Sequence, residues 1–242
     1  MYRPSRPLPS AAGFTLMEMS VVLVIIALII GAVSVGRDVY RSAEAERIGS
    51  EFVQGWLVAY DRYVQQSGMV PGDNAANPSG RVNNGSSSEL CDNDNGGGPL
   101  RDAMLERGVA LPQGRAEGKE SFYVYRDSQG NPQELQICFT SVSDWAEAAP
   151  GNPPYIRRIR NVMVLRGLTP ELANQLDARI DGRVDARFGR MREINEHSRT
   201  DAISTTNPAP NPWSRDNRQD YNGGYTPDAQ VAVMTGYVRM NQ

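Results

Sequence analysis

The chain has 242 residues and a formal net charge of -3, from 25 basic and 28 acidic side chains. This length and mixed composition suggest one globular domain besides any membrane segment. The acidic balance argues against a general nucleic-acid-binding surface, and no nucleic acid is expected as a partner. The two cysteines have no Cys-x-x-Cys spacing, so a zinc site is not suggested either.

The first predicted element is an apolar helix. From Phe14 to Val35 the only ionisable side chain is Glu18, and this stretch as a helix spans roughly 33 Å at about 1.5 Å per residue, enough to cross a bilayer. The preceding residues 1–13 contain two arginines and no acidic side chain. This segment is therefore expected to stay in the cytoplasm while the rest of the chain crosses the membrane.

Two simpler interpretations of this N-terminus are open at this point. A secretory signal peptide would be cut after small residues such as those at 34–36. Its apolar core is usually about 7 to 15 residues long and free of charge, so both the longer run and Glu18 oppose it. An uncleaved membrane anchor explains the length of the run, but it gives no reason for the carboxylate of Glu18.

The segment Gly13-Phe14-Thr15-Leu16-Met17-Glu18, followed by the long apolar run, resembles the signature of type IV prepilins, which pilins share with the pseudopilins of type II secretion. The resemblance implies that a prepilin peptidase cuts after Gly13 and that Phe14 is then N-methylated. It implies that the retained helix packs with the helices of other pilin or pseudopilin subunits, and that an inner-membrane assembly platform is a further partner.

The same resemblance assigns a role to Glu18. In this family the acidic residue pairs with the N-terminal amine of a neighbouring subunit during assembly. A carboxylate in hydrocarbon is costly when isolated and is partly compensated when it meets a cation. Glu18 is therefore expected to favour the assembled state.

Beyond the membrane run, apolar residues recur at steps of three and four, which is typical of an amphipathic helix; they include Ile48, Phe52, Trp56, Tyr60 and Tyr63. The predicted organisation is a cleaved leader at 1–13, a transmembrane and filament-core half of the helix at 14–36, an amphipathic half at 37–66 and a globular head at 67–242. The predicted fold class is α+β and pilin-like, with the long helix packed on an antiparallel β-sheet.

Within the head, β-branched and aromatic runs predict a hairpin at 122–125 and 135–139, a third strand at 159–165 and a final strand at 230–240. A short helix is predicted at 100–107. Thr169-Pro170-Glu171 opens another helix, with threonine as the N-cap and proline in the first turn. Polar residues, glycine and proline predict two long loops, at 73–99 and 198–227.

Cys91 and Cys138 are expected to form a disulfide in an exported domain, closing a loop of about 48 residues. The alternative is two buried free thiols. Because Cys138 lies on a predicted strand, the disulfide would tie the loop at 73–99 to the sheet.

Two groups of aspartates are candidate calcium ligands. Asp92 and Asp94 lie in an Asp-Asn-Gly run, but the spacing departs from an EF-hand loop: its glycine comes one position early and the closing glutamate is missing. Asp177, Asp181 and Asp185 recur every four residues. The preferred interpretation of these three is a solvated helix face or turn, with a divalent-cation site as the alternative. No metal, cofactor or catalytic residue is assigned.

The favoured function is that of a structural filament subunit in a type IV pilus or type II secretion pseudopilus, with the head in the periplasm before assembly and on the filament afterwards. A mature length of 229 residues favours a minor pilin or pseudopilin, with a major pilin as the alternative. A membrane-tethered envelope enzyme or binding module is a second alternative. An enzyme is not expected, because the sequence has neither a nucleophile elbow nor a phosphate loop.

Overall fold

The computed structural model of the protein describes residues 13–151, 154–200, 211–214, 216–220, 223–225 and 230–241, and leaves out the side chain of Asp38. The leader and much of the loop predicted at 198–227 therefore lie outside the described residues. The fold is α+β: a long N-terminal helix is followed by a five-stranded antiparallel sheet and shorter helices. The chain divides into two compact units, Met1–Ala43 and Glu44–Gln242, and the second is called the head below.

The described helices are α1 (Leu16–Arg47), α2 (Gln54–Ser67), α3 (Pro99–Glu106) and α4 (Pro170–Asp181). One π-helical stretch, Ile48–Val53, joins α1 to α2 without a break. Gly68 ends this long helix in the left-handed conformation, at φ 70°, and its N–H donates to the carbonyl of Val64. A further helical turn lies at Val82–Gly85.

The strands are β1 (Phe122–Arg126), β2 (Pro132–Ala148), β3 (Tyr155–Leu168), β4 (Met191–Glu193) and β5 (Met234–Arg239). The sheet order is β1-β2-β3-β5-β4, with antiparallel neighbours throughout. The final strand of the chain thus lies inside the sheet, between β3 and β4. Its interior position agrees with its sequence, which has no clearly polar face.

The main hydrophobic core lies between the sheet and the C-terminal part of the long helix. The amphipathic stripe supplies fully buried aromatic side chains to it, among them Phe52, Trp56 and Tyr60. Trp56 and Tyr60 both contact Phe139 of β2, with ring centroids 6.2 and 5.1 Å apart. Helix α4 closes the core from another side through Leu172, Ala173 and Leu176. The periodicity of the stripe therefore identifies core residues and not a ligand site.

A smaller core covers the opposite face of the sheet. Its buried residues are Cys138, Trp145, Val162, Val164 and Tyr237. The disulfide between Cys91 and Cys138 brings the loop at 73–99 to this face. The backbone of Leu90 adds two hydrogen bonds to Phe139, of 2.8 and 3.0 Å. This loop is thus held on the sheet by covalent and backbone contacts.

The strand predictions differ from the structure for four strands, β2, β3, β4 and β5. The strand β2 continues to Ala148, well past the predicted end at 139, and β3 begins at Tyr155, before the predicted start at 159. The last strand covers Met234–Arg239 instead of 230–240. The strand β4 has no sequence prediction, because its three residues are too few to show a period. The arginines in β3 hide its extended pattern, since their charged heads stay in water while the backbone pairs with β2.

Candidate processing and assembly site

The start of the long helix is organised by a contact between Thr15 and Glu18. The carboxylate of Glu18 accepts hydrogen bonds from the backbone N–H of Thr15, at 2.8 Å, and from its hydroxyl, at 2.9 Å. In return the hydroxyl of Thr15 accepts from the backbone N–H of Glu18, at 3.2 Å. This reciprocal arrangement is a capping box, which satisfies donors at the first helical turn.

The capping box shows that Glu18 has a partner in its own chain, Thr15, which the sequence analysis did not predict. The Thr-x-x-Glu spacing of Thr15 and Glu18 is itself a sequence signature of a capping box, whereas the family resemblance concerns only a contact with a neighbouring subunit. In the single chain Glu18 also stabilises the end of its own helix, where the helix dipole favours a negative charge. Both of these hydrogen bonds end on Oε2 of the carboxylate, so the capping box leaves Oε1 to accept from a partner.

The residues around this site make few contacts within their own unit. Every residue from Gly13 to Arg37 is exposed, and the side chains of Phe14 and Leu16 are 80% and 92% exposed. A Cβ atom added at Gly13 would meet nothing within 4 Å. The described contacts of the chain therefore give no packing reason for glycine at position 13.

Among the described residues, one helix is long and apolar enough to cross a membrane. It runs from Leu16 to Ser67 and contains an 18-residue window with a mean hydropathy of 2.8, none of which is buried. An apolar surface of this size is unfavourable in water, at about 25 cal/mol for each Å² exposed. The helix thus fits insertion in a membrane.

The first pair of calcium candidates serves the loop in which it lies. Asp92 is buried, and its carboxylate accepts from the backbone N–H of Arg101 and from the hydroxyl of Ser121, both at 2.8 Å. Asp94 is exposed, and its backbone carbonyl accepts a hydrogen bond from Lys119. The carboxylate of Asp92 thus anchors the start of α3.

The preferred interpretation of the second group is a solvated helix face or turn, and the solvated face is wrong for Asp177 and Asp185. Asp185 does form a turn, since its carboxylate accepts from the backbone N–H of Arg187 at 3.1 Å. Asp177 and Asp185 are buried, while Asp181 is half-buried. The carboxylate of Asp177 accepts from the backbone N–H of Asp185 at 2.7 Å and from the indole of Trp213 at 2.8 Å. Asp181 accepts from the backbone N–H of Met191 at 2.9 Å.

Burial gives Asp177 an unusual protonation behaviour. Its second carboxylate oxygen has no partner among the described residues. Desolvation, together with the nearby carboxylate of Asp181, raises the pKa of Asp177 to about 7. The sequence could not indicate this, because Trp213 approaches from a distant part of the chain. These aspartates attach the segments that follow α4 to the helix itself.

His197 is also a packed residue. One ring nitrogen contacts the carbonyl of Ile194 at 2.5 Å and the other the carboxylate of Asp144 at 3.0 Å. The ring lies against Trp145 and Tyr237, with centroids 6.0 and 5.1 Å away. The contact with Asp144 has no signature in the sequence, since 53 residues separate the two.

Comparison with known proteins identifies the N-terminal segment. Residues 8–34 match the family model described as the prokaryotic N-terminal methylation motif. No curated protein and no solved structure matches the chain. The motif is that of prepilins, so the match supports a pilin-like member of the type IV pilin and pseudopilin family and implies processing by a prepilin peptidase and assembly with other subunits.

Proposed function

We propose that the protein is a structural subunit, of the minor pilin or pseudopilin kind, in a type IV pilus or type II secretion filament. It enters the inner membrane as a prepilin and is cut after Gly13. The new N-terminal residue Phe14 is methylated, and the subunit joins the filament through its N-terminal helix. The head lies in the periplasm before assembly.

The observation that carries this proposal is the exposed apolar helix, most of which lies within the matched residues 8–34. All residues from Gly13 to Arg37 are exposed in the single chain, whereas the continuation of the same helix from Ile48 onwards supplies the core of the head. A subunit that is stored in lipid and then packed against other helices needs both properties. A secreted enzyme with a removed signal peptide needs only the second.

The minor pilin assignment rests on size alone. The 229 residues left after a cut at Gly13 are more than we expect of most major subunits. A major pilin remains the alternative, and counting subunits in purified filaments separates the two. A minor subunit should be present at a few copies per filament, whereas a major subunit should account for most of the filament mass.

Mass spectrometry of the mature N-terminus tests the processing. We expect a chain that starts at Phe14 and carries one additional methyl group. An intact Met1, or a cut near Gly36, would rule out the prepilin route. A matched variant, Gly13→Val, should block the cut without unfolding the head, because position 13 makes no packing contact.

The role of Glu18 is tested by comparing Glu18→Gln with Glu18→Ala. Glutamine keeps the capping box with Thr15 but removes the charge, whereas alanine removes both. If the carboxylate pairs with the amine of a neighbouring subunit, both variants should be processed normally and both should fail to enter filaments. Normal incorporation of Glu18→Gln would show that capping, and not charge, is the function of this side chain.

A further inference from the structure

The hairpin of β2 and β3 extends beyond the rest of the sheet. The strand β5 ends at Arg239, which pairs with Val162 of β3. β2 and β3 continue past this point and pair with each other as far as Ala148 and Tyr155. We call the two paired stretches beyond this point, residues 143–148 of β2 and 155–160 of β3, the arm. On the side where β5 has ended, no described strand pairs with β3 over residues 155–160, and we call this stretch the open edge.

The direction of the backbone groups follows from the neighbouring ladder. The N–H of Met240 donates to the carbonyl of Asn161 at 2.9 Å, so the peptide groups of Asn161 point toward β5. Because these directions alternate along an antiparallel strand, the peptide groups of Ile159 and Arg157 point the same way, into the open edge. The carbonyl of Ile159 accepts from the guanidinium of Arg160, at 3.1 Å.

The other edge of the arm, along β2, is covered. The N–H of Ala146 donates to the carbonyl of His197 at 2.9 Å, and the carbonyl of Ala146 accepts from the side chain of Arg192 at 2.8 Å. Among the residues that the structure describes, the arm therefore has one closed and one open edge. An open strand edge is a template for a further strand. Adding a strand there is favourable because its backbone forms hydrogen bonds with backbone groups that otherwise face water.

The arm also carries an excess of positive charge on one face. Three arginines converge on the carboxylate of Glu147: Arg160 at 2.6 Å, Arg239 at 2.9 Å and Arg158 at 3.5 Å. The side chain of Glu147 is largely covered, with 15% of its surface exposed. The side chain of Arg158 is 53% exposed. One negative charge thus faces three positive ones, which leaves guanidinium donors available to a second acid in a protein whose net charge is -3.

The remaining charges of the arm do not cancel this excess. Its other carboxylate, Asp144, faces His197 at 3.0 Å. Arg157 is exposed and contacts the carbonyl of Ser198 at 3.4 Å. An identical edge from a second copy would bring arginine against arginine, and this repulsion disfavours pairing of the chain with itself. An acidic strand would meet no such repulsion.

We propose that the open edge binds an extended acidic segment of a partner protein as an additional antiparallel or parallel strand. The backbone of Arg157 and Ile159 supplies the hydrogen bonds. Arg158 and Arg160 lie two residues apart and hence on one face, where they select acidic side chains at alternate positions of the partner. This interaction is independent of processing at Gly13, and its failure would leave the proposed function untouched.

The test uses the full chain in non-ionic detergent micelles and three labelled peptides. The first alternates glutamate with valine, the second replaces glutamate with lysine, and the third repeats the first with N-methyl groups on the amides of one edge. Fluorescence anisotropy should detect binding of the first peptide only, and its affinity should fall as salt is added. Equal binding of the N-methylated peptide would overturn the proposal, because charge alone would then suffice.

Two variants locate the site. Ile159→Pro removes an N–H that no described strand uses, so it should abolish binding while the ladder between β2 and β3 persists. Arg158→Glu should weaken binding by about five- to tenfold, as expected for a half-exposed charge contact. An unchanged circular dichroism spectrum confirms that each variant is folded. Unaltered affinity in Ile159→Pro, or tighter binding of a single-stranded oligonucleotide than of the acidic peptide, would refute the assignment.

Discussion

Replacing Asp177 with asparagine should stabilise the head at neutral pH. The buried carboxylate has one oxygen that accepts two hydrogen bonds, from Trp213 and from the backbone of Asp185, and a second oxygen without a partner in the described part of the chain. Asparagine keeps the accepting oxygen. It also replaces the second oxygen with an NH₂ group that can donate to Asp181, as the protonated form of Asp177 does.

The magnitude follows from linkage. The pKa of Asp177 is raised from 3.8 to about 7, so the folded state binds the proton more tightly than the unfolded state. Its stabilising contribution is complete below about pH 4 and is lost as the pH rises to about 7. A shift of about three pKa units corresponds to at most roughly 4 kcal/mol. Because part of the shift comes from the nearby carboxylate of Asp181, which is kept in the variant, we expect a gain of about 1 to 3 kcal/mol in Asp177→Asn at pH 7.5 and none at pH 4.

Guanidinium unfolding of the full chain in detergent, followed by circular dichroism at both pH values, measures this difference. Asp94→Asn is the matched control, since that side chain is exposed and its replacement should change stability by less than about 0.5 kcal/mol. Comparing variant with wild type removes the effect of other titrating groups. A variant that is less stable than wild type at pH 7.5 would refute the reasoning, and so would an equal gain at both pH values.

Three further predictions concern the sheet and its attachments. Reducing the disulfide between Cys91 and Cys138, or replacing Cys138 with serine, should lower the free energy of unfolding by about 2 to 4 kcal/mol, because a loop of roughly 48 residues is released; no difference between oxidised and reduced protein would contradict this. Hydrogen bonds and charge from Arg160, and then from Arg239, hold the pKa of Glu147 below its ordinary value. Glu147→Gln should therefore cost about 1 to 2 kcal/mol at pH 7 and nothing below the folded-state pKa, where the wild type has lost the same contribution. A loss that persists in acid would point to packing instead. Gly167 has φ 87°, and a Cβ atom added there would overlap the carbonyl oxygen of Glu134. Gly167→Ala should therefore lower the free energy of unfolding by more than about 2 kcal/mol, measured by thermal unfolding. A near-neutral effect would mean that β2 shifts to make room.

Local patterns in the sequence were sufficient for the parts of the fold that depend on near neighbours. The amphipathic spacing predicted the helix whose side chains fill the core, and the turn between 126 and 132 predicted the hairpin of β1 and β2. Thr169 and Pro170 begin α4 as expected, with the threonine hydroxyl accepting from the N–H of Leu172. The apolar run and Glu18 likewise directed attention to the N-terminus, because a charge within such a run is rare in any other context.

Tertiary structure alone decided the features that join distant parts of the chain. The burial of Asp177 depends on Trp213, which lies 36 residues further on; a four-residue aspartate period looks solvated when only its own helix is considered. Glu147 and Arg239 are 92 residues apart, so their contact leaves no local pattern in the sequence. The open edge of β3 exists because β5 stops at Arg239 while the hairpin continues. Whether a strand edge is paired depends on how far its neighbouring strands extend. A single segment of sequence does not contain that information.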